Sequence, residues 1–477
     1  MKIVLVHPAG SNWVPGQKDI TPVANRMAPL GLLSMAAWLE QHGHRVWVYD
    51  CLGWDRLRPH AAIVQDILSL QPDLVGFSAT TSGFLDGYDL AAAIKQQQPE
   101  VRVIFGGVHI SAIGAPLLDK FPAIDYLCMG EGEVTLAELA DGAQPAIIDG
   151  LIWRDNNTIV TNPARRLLPD LDQLPFPAYE KLPGFPKRYH LPLFSYIHPP
   201  GATMVTSRGC PYQCSYCDRS VFKQGYRYNS AAYIYAHLHY LRDRFGIRHV
   251  NIYDDLFTAH RKRIVDLCTL LATKPLGLQF NCAVRVGHAD DDLLHMLKAA
   301  GCLQVSLGIE SGDMDLMDRH KPGVQLEDVR HTVRRIQNCG LRAKGLFMMG
   351  LPGETEASIR TTSDFIMDLE LDDMNMSKFT PFHGAPAWQG LQAFGTLQED
   401  WRQMNCLNFV FVPRAIASRE ALDELYNQHV KRFYSSPGWR KKFRRRFWDH
   451  RWSLWHLIRH LPDFIAAKNN FEPRKDH

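Results

Sequence analysis

Short apolar runs alternate with longer segments of helical spacing from Met1 to about residue 140. KIVLV, RVWVYD, LVGFSAT, VRVIFGG and YLCMG read as buried strands. Between them lie LGLLSMAAWLEQHG, AAIVQDILSLQ, DLAAAIKQQQ and GAPLLDKF, punctuated by Gly and Pro. Strands alternating with helices imply βαβ units and a parallel, doubly wound sheet. GLIWRDNNTIVTN then predicts a hairpin turning at Asn156-Asn157, and the Pro-rich LLPDLDQLPFPAYEKLPGFP an extended linker.

The alternation returns near residue 200. ATMVTS, HVNIYDD, LQFNCAVR, LQVSLGIE, AKGLFMMG and MNMSKFTPF are strand candidates, separated by helical segments such as SAAYIYAHLHYLRDRFG and VRHTVRRIQNCG. Six successive βα units fit most of a barrel, whose chemistry sits at the carboxyl ends of its strands. After about residue 395 the pattern turns helical. The predicted fold class is α/β: a doubly wound parallel sheet (1–145), a hairpin and Pro-rich linker (146–200), a partial (β/α)6 barrel of the TIM type (201–395) and a helical C-terminal region (396–477).

At 477 residues the chain exceeds one core, and 46% hydrophobic with 22% charged residues is a globular composition. The N-terminus has neither the apolar run of a signal peptide nor ~20 apolar residues to span a bilayer, so a cytoplasmic protein is expected. In that reducing setting the ten cysteines argue for metal or catalysis rather than disulfides.

TSRGCPYQCSYCDRS gathers Cys210, Cys214 and Cys217 directly after the first barrel strand. A structural zinc site usually takes four ligands, and the next cysteine, Cys268, lies far along the chain. Three thiolates can hold three irons of a [4Fe–4S] cluster and leave the fourth open to a substrate or cofactor. The bland readings are a zinc loop completed by a distant histidine, or three unlinked thiols.

This C-x3-C-x2-C arrangement, with Tyr216 before the last cysteine, resembles the radical S-adenosylmethionine (SAM) superfamily. The resemblance implies a cluster on the three cysteines that cleaves SAM to methionine and a 5′-deoxyadenosyl radical, which takes hydrogen from a substrate. It also implies SAM contacts at the later strand ends, each weak when taken singly. NIYDD offers Asp254 and Asp255 for the methionyl amine, and CAVR offers Arg285 for the carboxylate. SLGIESG offers Ser306, Glu310 and Ser311, and FMMGLPGET offers Gly350 and Gly353 near adenine.

The N-terminal half, with LVGFSATTS, VIFGGVHIS and YLCMGEGEVTLAEL, is similar to the Rossmann-like cobalamin-binding domain that precedes the barrel in one class of these enzymes. By that resemblance Ser78, Thr80, Gly106 and Gly107 border the cobalamin site. The D-x-H-x-x-G motif of such domains corresponds to LVHPAG, which keeps His7 and Gly10 but has Leu5 in the Asp place. His7 is either a lower cobalt ligand or a loop histidine without metal, and His109 is a pocket-lining or structural residue. A sheet kept only for packing is the rival reading.

Charge adds one feature. Residues 431–460 hold ten Lys or Arg against one acid, Asp449, and four of the eleven tryptophans, while the rest of the chain is net acidic. On one helix Trp439, Phe443, Phe447, Leu454, Ile458 and Leu461 would share a face. Such a tail suits a helix packed on the barrel, an interfacial helix on anionic lipid or, least of the three, nucleic acid.

The resemblance implies a cobalamin-dependent radical SAM enzyme, with methyl transfer to an unactivated carbon or to phosphorus favoured. Oxidative cyclisation of the anaerobic magnesium-protoporphyrin monomethyl ester cyclase type is the alternative, and a non-catalytic cobalamin or redox sensor is a second. The expected partners are a small-molecule substrate, with a hydrophobic or lipid one suggested only by the tail, and a flavodoxin- or ferredoxin-like electron donor.

Overall fold

In the computed structural model, which describes residues 1–10, 25–54, 57–156, 158–223 and 225–462, two largely parallel sheets contribute to one shared core. The first contains β1 (Lys2–His7), β2 (Arg45–Asp50), β3 (Leu74–Ser78), β4 (Arg102–Gly106), β5 (Tyr126–Cys128), β6 (Leu151–Asp155) and β7 (Thr158–Thr161), in the order β2-β1-β3-β4-β5-β6-β7. Its helices are α1 (Leu30–Gln41), α2 (His60–Ser69), α3 (Thr81–Gln97), α4 (Val108–Ile113), α5 (Pro116–Lys120) and α6 (Glu133–Ala140). β1 to β5 are parallel, and the order reverses between β1 and β3, where such sheets open a crevice at their carboxyl edge.

The predicted hairpin forms, but it belongs to this sheet and not to the linker. β6 pairs antiparallel with β5 and carries β7, so the sheet runs past the expected boundary at residue 145. A short parallel strand such as β5 would otherwise expose an unpaired edge. Asn157, the second residue of the expected turn, lies outside the described residues.

The second sheet is built from β8 (Gly201–Met204), β11 (His249–Ile252), β12 (Gln279–Val284), β13 (Cys302–Glu310), β14 (Arg342–Met349) and β15 (Asp373–Lys378), all parallel, in the order β15-β14-β13-β12-β11-β8. A two-stranded ribbon, β9 (Ser207–Arg208) with β10 (Arg227–Tyr228), follows β8 and holds the stem of the cysteine loop. The intervening helices are α7 (Ala231–Phe245), α8 (Arg261–Thr273), α9 (Asp291–Ala299), α10 (Met314–His320), α11 (Leu326–Asn338) and α12 (Glu356–Asp368). In α11 the buried Val329, Thr332, Val333 and Ile336 recur at helical spacing, with charged residues opposite.

The C-terminal region is not wholly helical. A small hairpin, β16 (Gly395–Leu397) with β17 (Phe411–Pro413), precedes α13 (Arg419–Ser435), α14 (Pro437–Arg446) and α15 (Arg451–Arg459). The predicted single apolar face is also broken. A 3-10 turn over Phe447–His450 separates α14 from α15, so Trp439 and Phe443 pack inward while Phe447, Ile458 and Leu461 are exposed.

Six strands do not close a barrel, and both open edges are capped by tyrosine hydroxyls. Tyr179 of the linker donates to Thr203 O on β8 (3.1 Å). Tyr426 and Tyr434 of α13 donate to Met376 O (2.9 Å) and Met374 O (2.8 Å) on β15.

α1 is apolar nearly all round because it is sandwiched. Leu32, Leu33, Ala36 and Leu39 belong to one core with the linker residues Ala178, Tyr179 and Leu182 and with the barrel interior. Beside this apolar contact sits a buried charge cluster. Arg208 on β9 donates to Glu131 (2.9 Å) and Glu133 (2.6 Å), and Arg227 on β10 donates to both oxygens of Glu131 (2.7 and 3.0 Å). The four side chains are at most 14% exposed. Two charges of each sign thus join the loop after β5 to the stem of the cysteine loop.

Two outcomes test this junction. Glu131→Gln leaves two buried guanidiniums short of a partner and should cost about 3–5 kcal/mol in urea denaturation. Glu133 sits below its ordinary 4.5, because burial raises it but the Arg208 charge and hydrogen bonds, with Ser34, outweigh burial. A carboxylate depressed by folding contributes stability that is complete above its unfolded value and lost as the pH falls through the folded one. Urea midpoints should therefore fall with acidification below about pH 4.5, and Glu133→Gln should flatten that fall.

Candidate active site between the barrel mouth and the N-terminal sheet

The cysteine loop lies over the carboxyl ends of the barrel strands, held from several sides. Gly209 opens it at φ +82°, where a Cβ would stand 1.9 Å from Gly225 O, so no larger residue fits. Ser215 N–H donates to His320 O (3.0 Å), and Ala387 N–H donates to Ser215 O (2.8 Å). His320 Nε2–H must donate to Pro352 O (2.8 Å), so its Nδ1 accepts the Ser215 hydroxyl (2.6 Å). Arg285 lies over the Tyr212 ring, 3.7 Å from its centroid, and Tyr212 Oη contacts His288 Nε2 at 2.6 Å.

The structure brings Cys210, Cys214 and Cys217 together, each half-buried. Burial, then Asp255 and the neighbouring thiols, push Cys217 up to about 12; burial also raises Cys210, while Arg285 opposes it. Metal binding would remove those protons. Three neighbouring thiols on one loop suit a cubane, in which each thiolate binds a different iron, whereas a structural zinc usually takes four ligands.

The remaining strand-end residues divide into open and engaged groups. Asp255 is exposed beside Cys210 and Cys217, and burial of its surroundings plus Asp254 raises its carboxyl. Asp254 is instead spent on structure. Its side chain accepts from Thr206 N–H (2.5 Å), Thr206 Oγ1 (2.5 Å), Ser207 N–H (3.1 Å) and Arg263 (3.4 Å), which leaves nothing for an ammonium.

Glu310, at φ +68°, pairs with Lys321 (2.9 Å), and the Tyr216 hydroxyl lies close to Glu310 and Cys214. Ser306 is half-buried on β13. Ser311 is 1% exposed, bonded to Thr362 Oγ1 (3.0 Å) and accepting from Asp313 N–H (3.1 Å), so it is a turn residue closed to a ribose. Gly350 is likewise covered: its N–H donates to Glu354, and a Cβ would meet Phe409 at 3.0 Å. Gly353 is exposed, yet a Cβ there would strike Arg319 at 2.1 Å.

A cavity of about 310 Å³ opens at the crevice of the first sheet. Leu5, Ser78, Gly106, Gly107 and Gly132 form one wall, and Arg208 and Phe222 of the cysteine-loop segment form the other. Gly107 needs its φ of +106°, and a Cβ would lie 2.8 Å from Ala79 O. Small residues at a carboxyl edge, with a volume suited to a nucleotide-sized arm, fit the tail of a cobalamin.

Thr80 and Gly10 fall outside that wall. Thr80 starts α3, with its hydroxyl 3.4 Å from Ser82 Oγ, and the Gly10 N–H donates to Asp86 (3.2 Å). His7 is also off the wall. Its Nδ1–H donates to Asp50 Oδ1 (2.9 Å), and Tyr189 Oη donates to Asp50 Oδ2 (2.9 Å). The carboxylate missing at Leu5 is thus supplied by β2. Burial lowers His7, but the hydrogen bond and charge of Asp50 leave it raised overall. His109 is structural: it is 1% exposed, wedged between Phe84 and Trp401, and lowered to about 3 by burial and His383.

Sequence reasoning missed Glu131, Glu133, Arg208, Lys321 and His320. The GEGE stretch was a signal for the first two, since glycines on either side let a backbone approach closely; nothing local announced the others.

Comparison with known proteins matches both halves of the chain. The Radical SAM superfamily matches residues 204–366, and the B12 binding domain matches residues 17–140, which takes in Ser78, Thr80, Gly106 and Gly107 but neither His7 nor Gly10. The chain is 29% identical to an uncharacterized methyltransferase of Pyrococcus horikoshii, over 92% of this chain and 93% of the relative. It is 24% identical to the anaerobic magnesium-protoporphyrin IX monomethyl ester cyclase of Rubrivivax gelatinosus, over 94% and 81%. Its fold is that of the radical SAM methyltransferase TsrM from Kitasatospora setae, solved with cobalamin and a [4Fe-4S] cluster, at 21% identity and a TM-score of 0.62 over 81% of this chain and 73% of that one. The chain thus carries a B12 binding domain ahead of a radical SAM domain, the arrangement of cobalamin-dependent radical SAM enzymes.

Proposed function

We propose that the protein is a cobalamin-dependent radical SAM methyltransferase acting on a small molecule. One observation carries the reading. The cavity over the first sheet is closed by Ser207, Arg208, Val221 and Phe222, from the segment that carries the three thiols, so the two cofactor sites share a wall. The Pyrococcus horikoshii relative, a methyltransferase by name, supports methyl transfer over cyclisation by its higher identity.

Cys210, Cys214 and Cys217 would hold the cluster, and Ser78, Gly106 and Gly107 would border the cobalamin tail. Bound together, these groups and SAM supply a carbon radical that removes hydrogen and a methyl group to replace it. The chain's own task is placement. Asp255 would take the methionyl ammonium and Arg285 its carboxylate, since each lies beside the thiols. Glu310, fixed by Lys321, holds Tyr216 and with it the loop. Leu351, Phe379 and Phe411 pack with Tyr216 and keep water from that side of the mouth. The reducing electron comes from a flavodoxin- or ferredoxin-type donor in the cytoplasm, and the basic tail adds peripheral contact with the inner face of the membrane.

The deciding assay is anaerobic turnover of reconstituted, reduced protein with methyl-labelled SAM. Label entering product is expected; unlabelled oxidised product would instead identify a cyclase, and no SAM cleavage with any candidate substrate would identify a sensor. Cys210→Ala, Cys214→Ala and Cys217→Ala should each lose the four-iron absorbance and bring 5′-deoxyadenosine formation to background. His7→Ala should leave the cobalamin spectrum unchanged while costing about 1 kcal/mol in urea denaturation, since it removes one hydrogen bond to Asp50.

A further inference from the structure

The tail carries an apolar patch that nothing in the chain's described residues covers. Phe447, Trp448, Trp455, Ile458 and Leu461 are 38%, 77%, 60%, 69% and 48% exposed, five of the eleven exposed large hydrophobics among the described residues. The other six are scattered along the chain, so this cluster is not ordinary surface. Arg440, Lys441, Arg444, Arg445 and Arg451 are exposed around it, and Arg459 lies over the Trp455 ring at 5.4 Å from the centroid.

The opposite side of the same segment is fixed to the barrel. His450 is 3% exposed, with Nε2 2.9 Å from Arg342 and Nδ1 3.2 Å from Tyr196 O. Ser453 Oγ accepts Phe194 N–H (3.3 Å), Trp452 packs on Tyr196, and Arg446 pairs with Asp372 (2.8 Å). The outward patch therefore belongs to a segment fastened to the barrel along its other side.

Its mixture of tryptophan, aliphatic side chains and arginine matches the boundary of an anionic bilayer, where aromatic rings sit among headgroups and cations meet lipid phosphates. A second copy fits worse, because a two-fold contact would press the same cations together. Among the described residues no helix is long and apolar enough to cross a membrane, so the contact lies in the surface plane.

The anchored side also gives a direction. Arg342 is the first residue of β14, and Asp373, which accepts from Tyr434 Oη at 3.1 Å, is the first of β15. The tail thus sits at the strand-start end of the barrel, opposite the cysteine loop. A strand of β14's length puts roughly 25 Å between the two ends.

We infer that residues 440–462 dock the protein on an anionic membrane surface through Trp448, Trp455, Ile458 and Leu461, with the barrel mouth turned away from the lipid. The substrate then reaches the thiols from water and is not drawn directly from the bilayer. The lipid contact stands whatever the reaction is; the orientation rests on the barrel-mouth reading of the site.

Full-length protein should sediment with phosphatidylglycerol-containing vesicles about tenfold more than with pure phosphatidylcholine, and salt should weaken the binding. The double variant Trp448→Ser/Trp455→Ser and, separately, Arg444→Glu/Arg445→Glu should each lose about tenfold in partition while melting like the parent. Hydrogen exchange on vesicles should slow across 440–462 and not across 209–223. Equal binding to both vesicle types, or variants that partition like the parent, would overturn the lipid contact. Protection at the cysteine loop would overturn the orientation alone. A tail-dependent shift of single-stranded RNA without vesicle binding, a dimer lost in the tryptophan variant, or vesicle binding seen only after deletion of 463–477 would each assign the patch elsewhere and defeat the proposal. Neither result bears on SAM cleavage, which the labelled assay reads independently.

Discussion

Arg208, Arg227, Glu131 and Glu133 bear on almost everything functional in this molecule. Buried charges are tolerated only when fully paired, and each of these four has at least one partner of opposite sign. Their placement matters more than their net energy. The two arginines face one another across β9 and β10, at the two ends of the loop that holds the thiols. Glu131 lies on the turn after β5 and Glu133 opens α6, both at the lip of the cavity. A bidentate guanidinium–carboxylate contact fixes angle as well as distance. An apolar interface alone, such as α1 against the linker, would let the domains slide. The ion cluster sets their register at the point where the two cofactor sites meet.

A second consequence concerns the polar residues at the strand ends. Asp254 and Asp255 follow β11 side by side, but the first is buried and the second exposed, so they do not do the same work. Asp254 closes on Thr206, Ser207 and Arg263 and ties the end of β11 to the start of the cysteine-bearing segment. Asp255 is left beside the thiols. Ser311 and Glu310 show the same division: one completes a turn with Thr362, and the other meets Lys321 and Tyr216. Half of the plausible ligand-binding groups are the fastenings of the other half.

That division explains what could be read from the chain. The strand–helix alternation and the C-x3-C-x2-C spacing are local patterns, and the parallel sheets and the thiol loop appear where they predict. The failures are all non-local. Nothing near His7 announces that Asp50, one strand over, replaces the carboxylate absent at Leu5. Nothing near Gly350 shows that Phe409 will cover it. In the tail, periodicity counted one continuous face, but His450 turns inward to Arg342 and the 3-10 turn there rotates the following residues outward. Tertiary hydrogen bonds override a periodic pattern when they bury a polar group that the helix would have left in water.

An open half-barrel has a structural difficulty that a closed one lacks, since β8 and β15 each present an unpaired edge. Here each edge receives hydroxyl donors from a neighbouring segment, Tyr179 on one side and Tyr426 with Tyr434 on the other. Such side-chain bonds satisfy single carbonyls without offering a new strand edge, so they end the sheet and do not extend it. They also make the linker and α13 parts of the barrel in the energetic sense, although neither contributes a strand. The linker that caps β8 also reaches the cavity, which Leu171, Leu174 and Pro177 line together with the first sheet and the cysteine-bearing segment, so the same segment that ends the half-barrel helps to enclose the space between the two domains.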